Sequence, residues 1–390
     1  MPAITQTISM FIEFSNPGLE PITGFGRYFA DSIYIIAIGT LGYSFFMLVR
    51  PVLIRQPATI DERKQAQTIV EKYGCSSLAR YTLFEDKSYF FSPNGSVIAF
   101  VVKGRIAIVL GDPIGLEGDA DTSILAFKNY CARNDWQPCF YQVRPDHLNI
   151  YKANGYKAIG IGQEGIVDLN AFSFEGKAGK EFRNVVNRLT RFGHWVEVYE
   201  PPLGIEILNK LRKVSDEWLR TMHGSEMRFS LGSFDDNYIR NSVVAAVYLP
   251  DGQISAFINI VSEYQRNEVT LDLMRRRHEI ENGTMDFLFI STFDWAKKKG
   301  YATFSLGLSA LSGVGEKTDD PAMEQALRYI YDNVGRFYNF KGVHTFKDKF
   351  QPRWELRYLI YPGTVDLPAI ATGLVRAHSG DNFMWAYFKS

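Results

Sequence analysis

The chain has 390 residues, 46% hydrophobic and 14% aromatic, enough for a large core and for more than one domain. Its 43 basic and 43 acidic residues give a formal net charge of zero, so global charge selects no polyanionic partner and only a local basic patch can. Three scattered cysteines, Cys75, Cys131 and Cys139, show no metal or redox spacing and fit a reducing compartment.

Residues 1–31 read as a loosely structured or interfacial lead. The run 32–49, SIYIIAIGTLGYSFFMLV, carries no charge and is just long enough for one membrane helix. Gly39, Gly42 and Ser44 dilute its apolarity, so a buried or interfacial helix stays open. Arg50, Arg55, Arg63 and Lys64 follow, and this positive excess places the C-terminal part on the cytoplasmic side of a cell membrane. Pro51 and Pro57 end the run and begin a connector.

An amphipathic helix is expected over 61–73. Strands follow at 89–91, 97–102 and 106–110, the last two joined by a turn at Lys103-Gly104. A helix over 122–134, a strand over 139–143 and a short helix over 148–153 complete this half. Next, Lys180, Arg183, Asn187, Arg188 and Arg191 recur at helical spacing, with few acidic partners four residues away. This basic stripe is either a solvated face or a phosphate contact. The second half repeats the grammar: a helix over 207–222, a hairpin of strands 243–248 and 254–261, a strand over 268–274, a helix over 284–299 and a strand over 301–306. The repetition argues for an α+β fold built from two copies of one mixed unit.

A Walker-type phosphate loop, His-Glu-x-x-His and Gly-x-Ser-x-Gly are absent from the sequence, and the six histidines show no ligand spacing. Chemistry therefore falls to carboxylates, Lys, Arg, Tyr and backbone amides. Asp272 near Arg275 is either a strand-end ion pair or a carboxylate that takes a proton or holds an ammonium. Asn282-Gly283-Thr284 opens a helix whose amides favour an anion, or simply caps it, with Asp286 in the first turn. Tyr338 and Asn339 sit in an aromatic strand and turn away from Phe337 and Phe340. Lys347 and Lys349 share one strand face at period two and repel unless an anion lies between them. His223 ends a helix before Gly224 and is a substrate contact or a C-cap.

DLMRRRHEIENGTMDFLF (272–289), FSLGLSALSG (304–313) and FYNFKGVHTFKDKFQPRWELRYL (337–359) resemble the C-terminal catalytic domain of phosphatidylglycerol lysyltransferases, the aminoacyl-phosphatidylglycerol synthases or multiple peptide resistance factors. GKEFRNVVNRLTRFG (179–193) and FSLGSFD (229–235) add to the likeness, which runs from about residue 60 to 362. The resemblance implies tandem acetyltransferase-like (GNAT-like) domains at 59–195 and 196–390, behind a lead and anchor at 1–58. It implies transfer of an aminoacyl group, lysyl foremost, from aminoacyl-tRNA to phosphatidylglycerol at the cytoplasmic membrane face, with aminoacyl-tRNA as co-substrate and no metal or other cofactor. In that reaction Asp272, Arg275 and Lys349 would be catalytic. His223, Asn282, Asp286, Tyr338, Asn339 and Lys347 would contact substrate, and Arg183 and Arg188 would meet tRNA or lipid phosphates. Two alternatives remain: an acyl-CoA-dependent N-acyltransferase of amino-acid-containing lipids, and a catalytically inactive, membrane-tethered binding module.

Overall fold

The computed structural model describes residues 58–173, 179–221, 226–262, 267–315 and 340–379, with 175, 176, 264, 265 and scattered positions from 24 to 44. The chain divides into two compact units, Met1–Arg55 and Gln56–Ser390. In the first, the described positions are helical. Part of the apolar run 32–49 lies outside the described residues. Among those described, no helix is long and apolar enough to cross a membrane.

The second unit is an α+β fold around one mixed sheet. Its elements in order are α1 (Ile60–Tyr73), β1 (Ser88–Phe91), β2 (Val97–Lys103), β3 (Ile106–Leu110), α2 (Ala120–Arg133), β4 (Gln137–Val143), α3 (Leu148–Ala153) and β5 (Lys157–Asp168). Then come α4 (Lys180–Arg191), β6 (Trp195–Tyr199), α5 (Ile205–Thr221), α6 (Asp236–Arg240), β7 (Val243–Tyr248), β8 (Ile254–Ser262) and β9 (Glu268–Arg276). The chain continues through α7 (Thr284–Lys298), β10 (Thr303–Ala310), α8 (Phe340–Asp348), β11 (Arg353–Tyr361) and α9 (Leu367–Ser379). Helix α1 starts where Thr59 and Glu62 form a reciprocal capping box.

The strand order is β1-β2-β3-β4-β11-β5-β10-β9-β8-β7-β6. Pairs β3–β4 and β9–β10 are parallel and are joined through α2 and α7; the other pairs are antiparallel. Strand β11 enters between β4 and β5, while β5 lies between β11 and β10. Each run of strands thus lends its last member to the other, and the middle of the sheet mixes residues far apart in sequence. Gly162 permits this crowding: its φ is +146°, and an added Cβ would lie 2.4 Å from the Ser309 carbonyl oxygen.

Both faces are covered. On one, α4 and α7 bury Leu271, Ile258, Ile260 and Phe304 against Leu189, Phe289 and Phe293. On the other, α5 packs Leu208, Leu211 and Val214 on Val244, Phe257 and Leu273. Each such aromatic or branched side chain contributes roughly 1.5–3 kcal/mol by leaving water. The described part of the segment expected as aromatic strands at 337–350 folds instead as α8. Phe346 and Phe350, four apart, both pack on Phe289, whereas in a strand they would stand roughly 13 Å apart along the chain. His223, Tyr338 and Asn339 lie outside the described residues.

Candidate functional site

A bulge in β9 brings Asp272 and Arg275 to the same face. Ile258 of β8 pairs with Met274 and Ile260 pairs with Leu271, so β9 carries one extra residue. In a regular strand, residues three apart point to opposite faces; the bulge cancels that alternation. The bulged backbone is held by Asn259, whose Oδ1 accepts the Leu273 amide at 2.8 Å. Leu271 and Met274 face α7, whereas Asp272, Leu273 and Arg275 face α5.

Asp272 is buried, with 8% of its surface exposed. Its Oδ2 accepts the Tyr238 hydroxyl at 2.5 Å and its Oδ1 accepts the Gly232 amide at 2.9 Å. Burial pushes its carboxyl above the ordinary value, although Tyr238, the Gly232 amide, Asn259 and Arg275 all favour the charged form. Tyr81 lies within electrostatic reach of both Asp272 and Glu164, and burial drives its phenol well above its usual value. Yet the Tyr81 hydroxyl, the Asn259 Nδ2 and the Thr270 hydroxyl complete no hydrogen bond of normal geometry, although all are buried. Tyr81 and Asn259 still turn towards Asp272, and buried donors held this loosely around a carboxylate mark a place where a ligand's polar atoms would be stabilising.

Arg275 continues this edge. Its Nη2 donates to Glu226 Oε2 at 2.6 Å, and its guanidinium lies 4.1 Å from the centroid of Trp218 on α5. Burial lowers its pKa, opposed by Glu226 and Asp272. Its Nη1 is buried without a partner.

A second buried polar group occupies the same face at the exchanged strands. Arg357 of β11 donates through Nε to Glu164 of β5 at 2.9 Å, and Ser305 of β10 also donates to that carboxylate. Burial opposes ionisation of Glu164, but Arg357, Ser305 and Ser77 outweigh it and hold the carboxyl below its usual range. Lys347 is buried and donates to the carbonyls of Gly307 (3.1 Å) and Leu308 (3.0 Å), where β10 is irregular. Burial pushes its pKa down to about 8, with Glu164 pulling it back. A small cavity alongside is lined by Ser77, Asp112, Arg144, Glu164, Glu268 and Arg357, among others.

The other sequence candidates lie apart from Asp272 and Arg275. Lys349 follows α8, half-exposed, and its Nζ pairs with Asp286 at 3.2 Å in the first turn of α7, across the sheet. Lys347 and Lys349 therefore do not share a strand face. Asn282 offers its carbonyl to Arg188, which ties α4 to the start of α7. Gly283 there has a φ of +85°, and an added Cβ would lie 2.8 Å from Val185. Arg188 is thus engaged within the fold, while Lys180, Arg183, Asn187 and Arg191 stay exposed. Arg183 donates to the Gly176 carbonyl at 3.0 Å and rims a groove floored by Val186, Val196, Val198 and Ile290.

Sequence reasoning missed Tyr81, Trp218, Glu226 and Tyr238 around Asp272 and Arg275, and Glu164 with Arg357. Arg357 lies inside the 337–359 motif and FSLGSFD ends three residues before Tyr238; the other four carried no such signal. Among the described residues, no group of three or more His, Cys, Asp or Glu is placed to hold a metal ion. Burial pushes the Cys131 thiol up to about 12 and Cys139 higher still, so neither supplies a thiolate near neutrality.

The family model of the phosphatidylglycerol lysyltransferase C-terminal region matches residues 67–361. The curated phosphatidylglycerol lysyltransferase of Bacillus subtilis (strain 168) is 33% identical over 323 residues, which cover 81% of this chain and 37% of that protein. The chain thus spans little more than a third of this relative's length. Among solved structures, L-PGS from Bacillus licheniformis matches with a TM-score of 0.71 at 33% identity, covering 84% of this chain and 99% of that one. A C-terminal domain (DUF2156) from Agrobacterium fabrum matches with a TM-score of 0.73 at 32% identity, covering 82% and 98%. The chain belongs to the family of phosphatidylglycerol lysyltransferase C-terminal domains.

Proposed function

We propose that the protein is a membrane-associated aminoacyltransferase that moves an aminoacyl group, lysyl foremost, from aminoacyl-tRNA to a glycerol hydroxyl of phosphatidylglycerol. Family membership supports the lipid and the lysyl group. The observation that carries the chemistry is Asp272: a buried carboxylate with a raised pKa, faced by Tyr81 and Asn259 at loose geometry and beside the unpartnered Nη1 of Arg275.

In this reading the lipid hydroxyl attacks the aminoacyl ester carbonyl while Asp272 takes its proton. The negative charge that develops on the carbonyl oxygen is met by Arg275 Nη1, with Asn259 Nδ2 beside it. The ester bond to the tRNA ribose then breaks, and the proton passes from Asp272 to the departing ribose oxygen. One ester replaces another, so the transfer needs no nucleotide hydrolysis. General-base help is worth about 10²–10⁴-fold and an oxyanion donor about 10²–10³-fold. Lys347, close enough to feel Glu164, holds ester or phosphate oxygens. Lys349 and Asp286 serve as outer contacts on the other face, and Arg183 meets a tRNA or lipid phosphate. Residues 59–195 and 196–390 act as the two acetyltransferase-like halves. The active part works at the cytoplasmic face of the cell membrane, and aminoacyl-tRNA is the only co-substrate.

The test uses purified full chain, phosphatidylglycerol vesicles and labelled lysyl-tRNA, with alanyl-tRNA and acyl-CoA as competing donors. Labelled lipid that disappears when the donor is first treated with RNase is the expected result. Transfer from acyl-CoA alone, or from no donor, overturns the proposal.

A further inference from the structure

Helix α9 begins beyond residue 361, where the family match ends, yet its last turn reaches the segment that contacts Asp272. The Nδ1 of His378 donates to the Leu374 carbonyl at 2.8 Å, which fixes the neutral tautomer and leaves Nε2 to accept the Ser230 hydroxyl at 2.9 Å. The His378 carbonyl accepts the Arg228 amide at 2.8 Å. The imidazole also stands edge-on to Phe229, with ring centroids 5.3 Å apart.

Phe229 is wholly buried and has a φ of +72°, a conformation that a bulky residue keeps only when its neighbours enforce it. Lys87 closes the other side, donating from Nζ to the Phe229 carbonyl at 2.9 Å. Three residues further on, the Gly232 amide reaches Asp272, and a Cβ on Gly232 would lie 2.2 Å from Asp272 Oδ2. The segment is therefore held from α9, from the turn before β1 and from β9.

We propose that His378 is a positioning residue: through Ser230 it holds the 228–232 segment so that the Gly232 amide donates to Asp272. The inference rests on the aminoacyl-transfer reading above. Without His378 the strained backbone at Phe229 relaxes and the Gly232 amide withdraws. Asp272 then loses a donor that favours its ionised form, and a smaller fraction of the enzyme carries the base. Tyr81, Tyr238 and Arg275 also bear on Asp272, and Lys87 and Asp86 bear on His378; the variants below leave all five in place.

The experiment compares His378→Ala, His378→Gln and Ser230→Ala in the full chain, with Thr372→Ala on the exposed side of the same helix as control. His378→Ala and Ser230→Ala should lower kcat about tenfold, keep KM for both substrates within about threefold, and move the acid limb of kcat/KM to higher pH. His378→Gln keeps an acceptor near the Nε2 position and should recover most of the rate, and Thr372→Ala should match wild type. Unchanged kcat and acid limb in His378→Ala, or a loss that Gln does not recover and that follows thermal stability, overturns the proposal. If wild-type protein transfers no aminoacyl group, the functional reading falls instead. The positioning claim is then decided by ¹³C titration of the Asp272 carboxyl, which His378→Ala should move upward and which an unmoved titration would refute.

Discussion

The Tyr238 hydroxyl donates to Asp272 Oδ2 at 2.5 Å, so a residue of the short helix α6 sets the state of a carboxylate on β9. Burial raises the pKa of both groups, and each is the other's nearest titratable partner. This hydrogen bond favours ionised Asp272. Tyr238→Phe removes it and should raise the acid limb of the kcat/KM profile, with kcat falling about tenfold at neutral pH. A pH profile of the variant against wild type checks this.

The same burial has a sign for stability. A carboxyl whose pKa is raised by folding contributes stability below its unfolded pKa and loses it as pH rises through the folded value. Ionised Asp272 therefore costs stability at neutral pH. Asp272→Asn, which keeps the shape without the charge, should be at least as stable as wild type at pH 7. That advantage should shrink as pH falls into the ordinary carboxylate range. Denaturant unfolding at a series of pH values reads it.

Glu164 and Arg357 are joined by folding across 193 positions of chain, and almost no solvent reaches either side chain. Arg357→Ala leaves a buried carboxylate without its cation and should cost about 3–5 kcal/mol. Glu164→Gln with Arg357→Met should cost much less, because no unpaired charge remains. A double-mutant cycle in urea separates the two cases.

Lys347 gives a basic-side signature. Burial lowers its pKa to about 8, so the unfolded chain binds more protons than the folded one from about pH 8 upward. Stability from this group accordingly rises with pH between about 8 and 10.5, by on the order of 3 kcal/mol in all. The rise should be missing in Lys347→Met when unfolding midpoints are compared across that range.

Much of the fold was legible in local pattern. Alternation and turn residues mark β2, β3, β7 and β8, and helical periodicity marks α1, α2, α5 and α7 to within a few residues. The segment around 346–350 misled because alternating aromatics and lysines look like a strand; the contacts of Phe346 and Phe350 with Phe289 decide for a helix, and those contacts are tertiary. Asp272 and Arg275 stood out as charged residues in a largely aliphatic strand. The bulge that puts them on one face is a pairing event with β8, and one strand's sequence does not show it. Glu164 and Arg357 meet only because β5 and β11 exchange places, a topological fact without a local signal. Lys349 was grouped with Asp272 through the family resemblance, and it pairs instead with Asp286 on the α7 side of the sheet.

The most direct test is the initial rate of transfer from labelled lysyl-tRNA to phosphatidylglycerol vesicles, measured for wild type and for folded Asp272→Asn side by side. Wild type should form RNase-sensitive labelled lipid, and the variant should fall by about 10²–10⁴-fold while retaining its stability. A folded Asp272→Asn protein that works at the wild-type rate would contradict the assignment of Asp272 as the group that takes the lipid's proton.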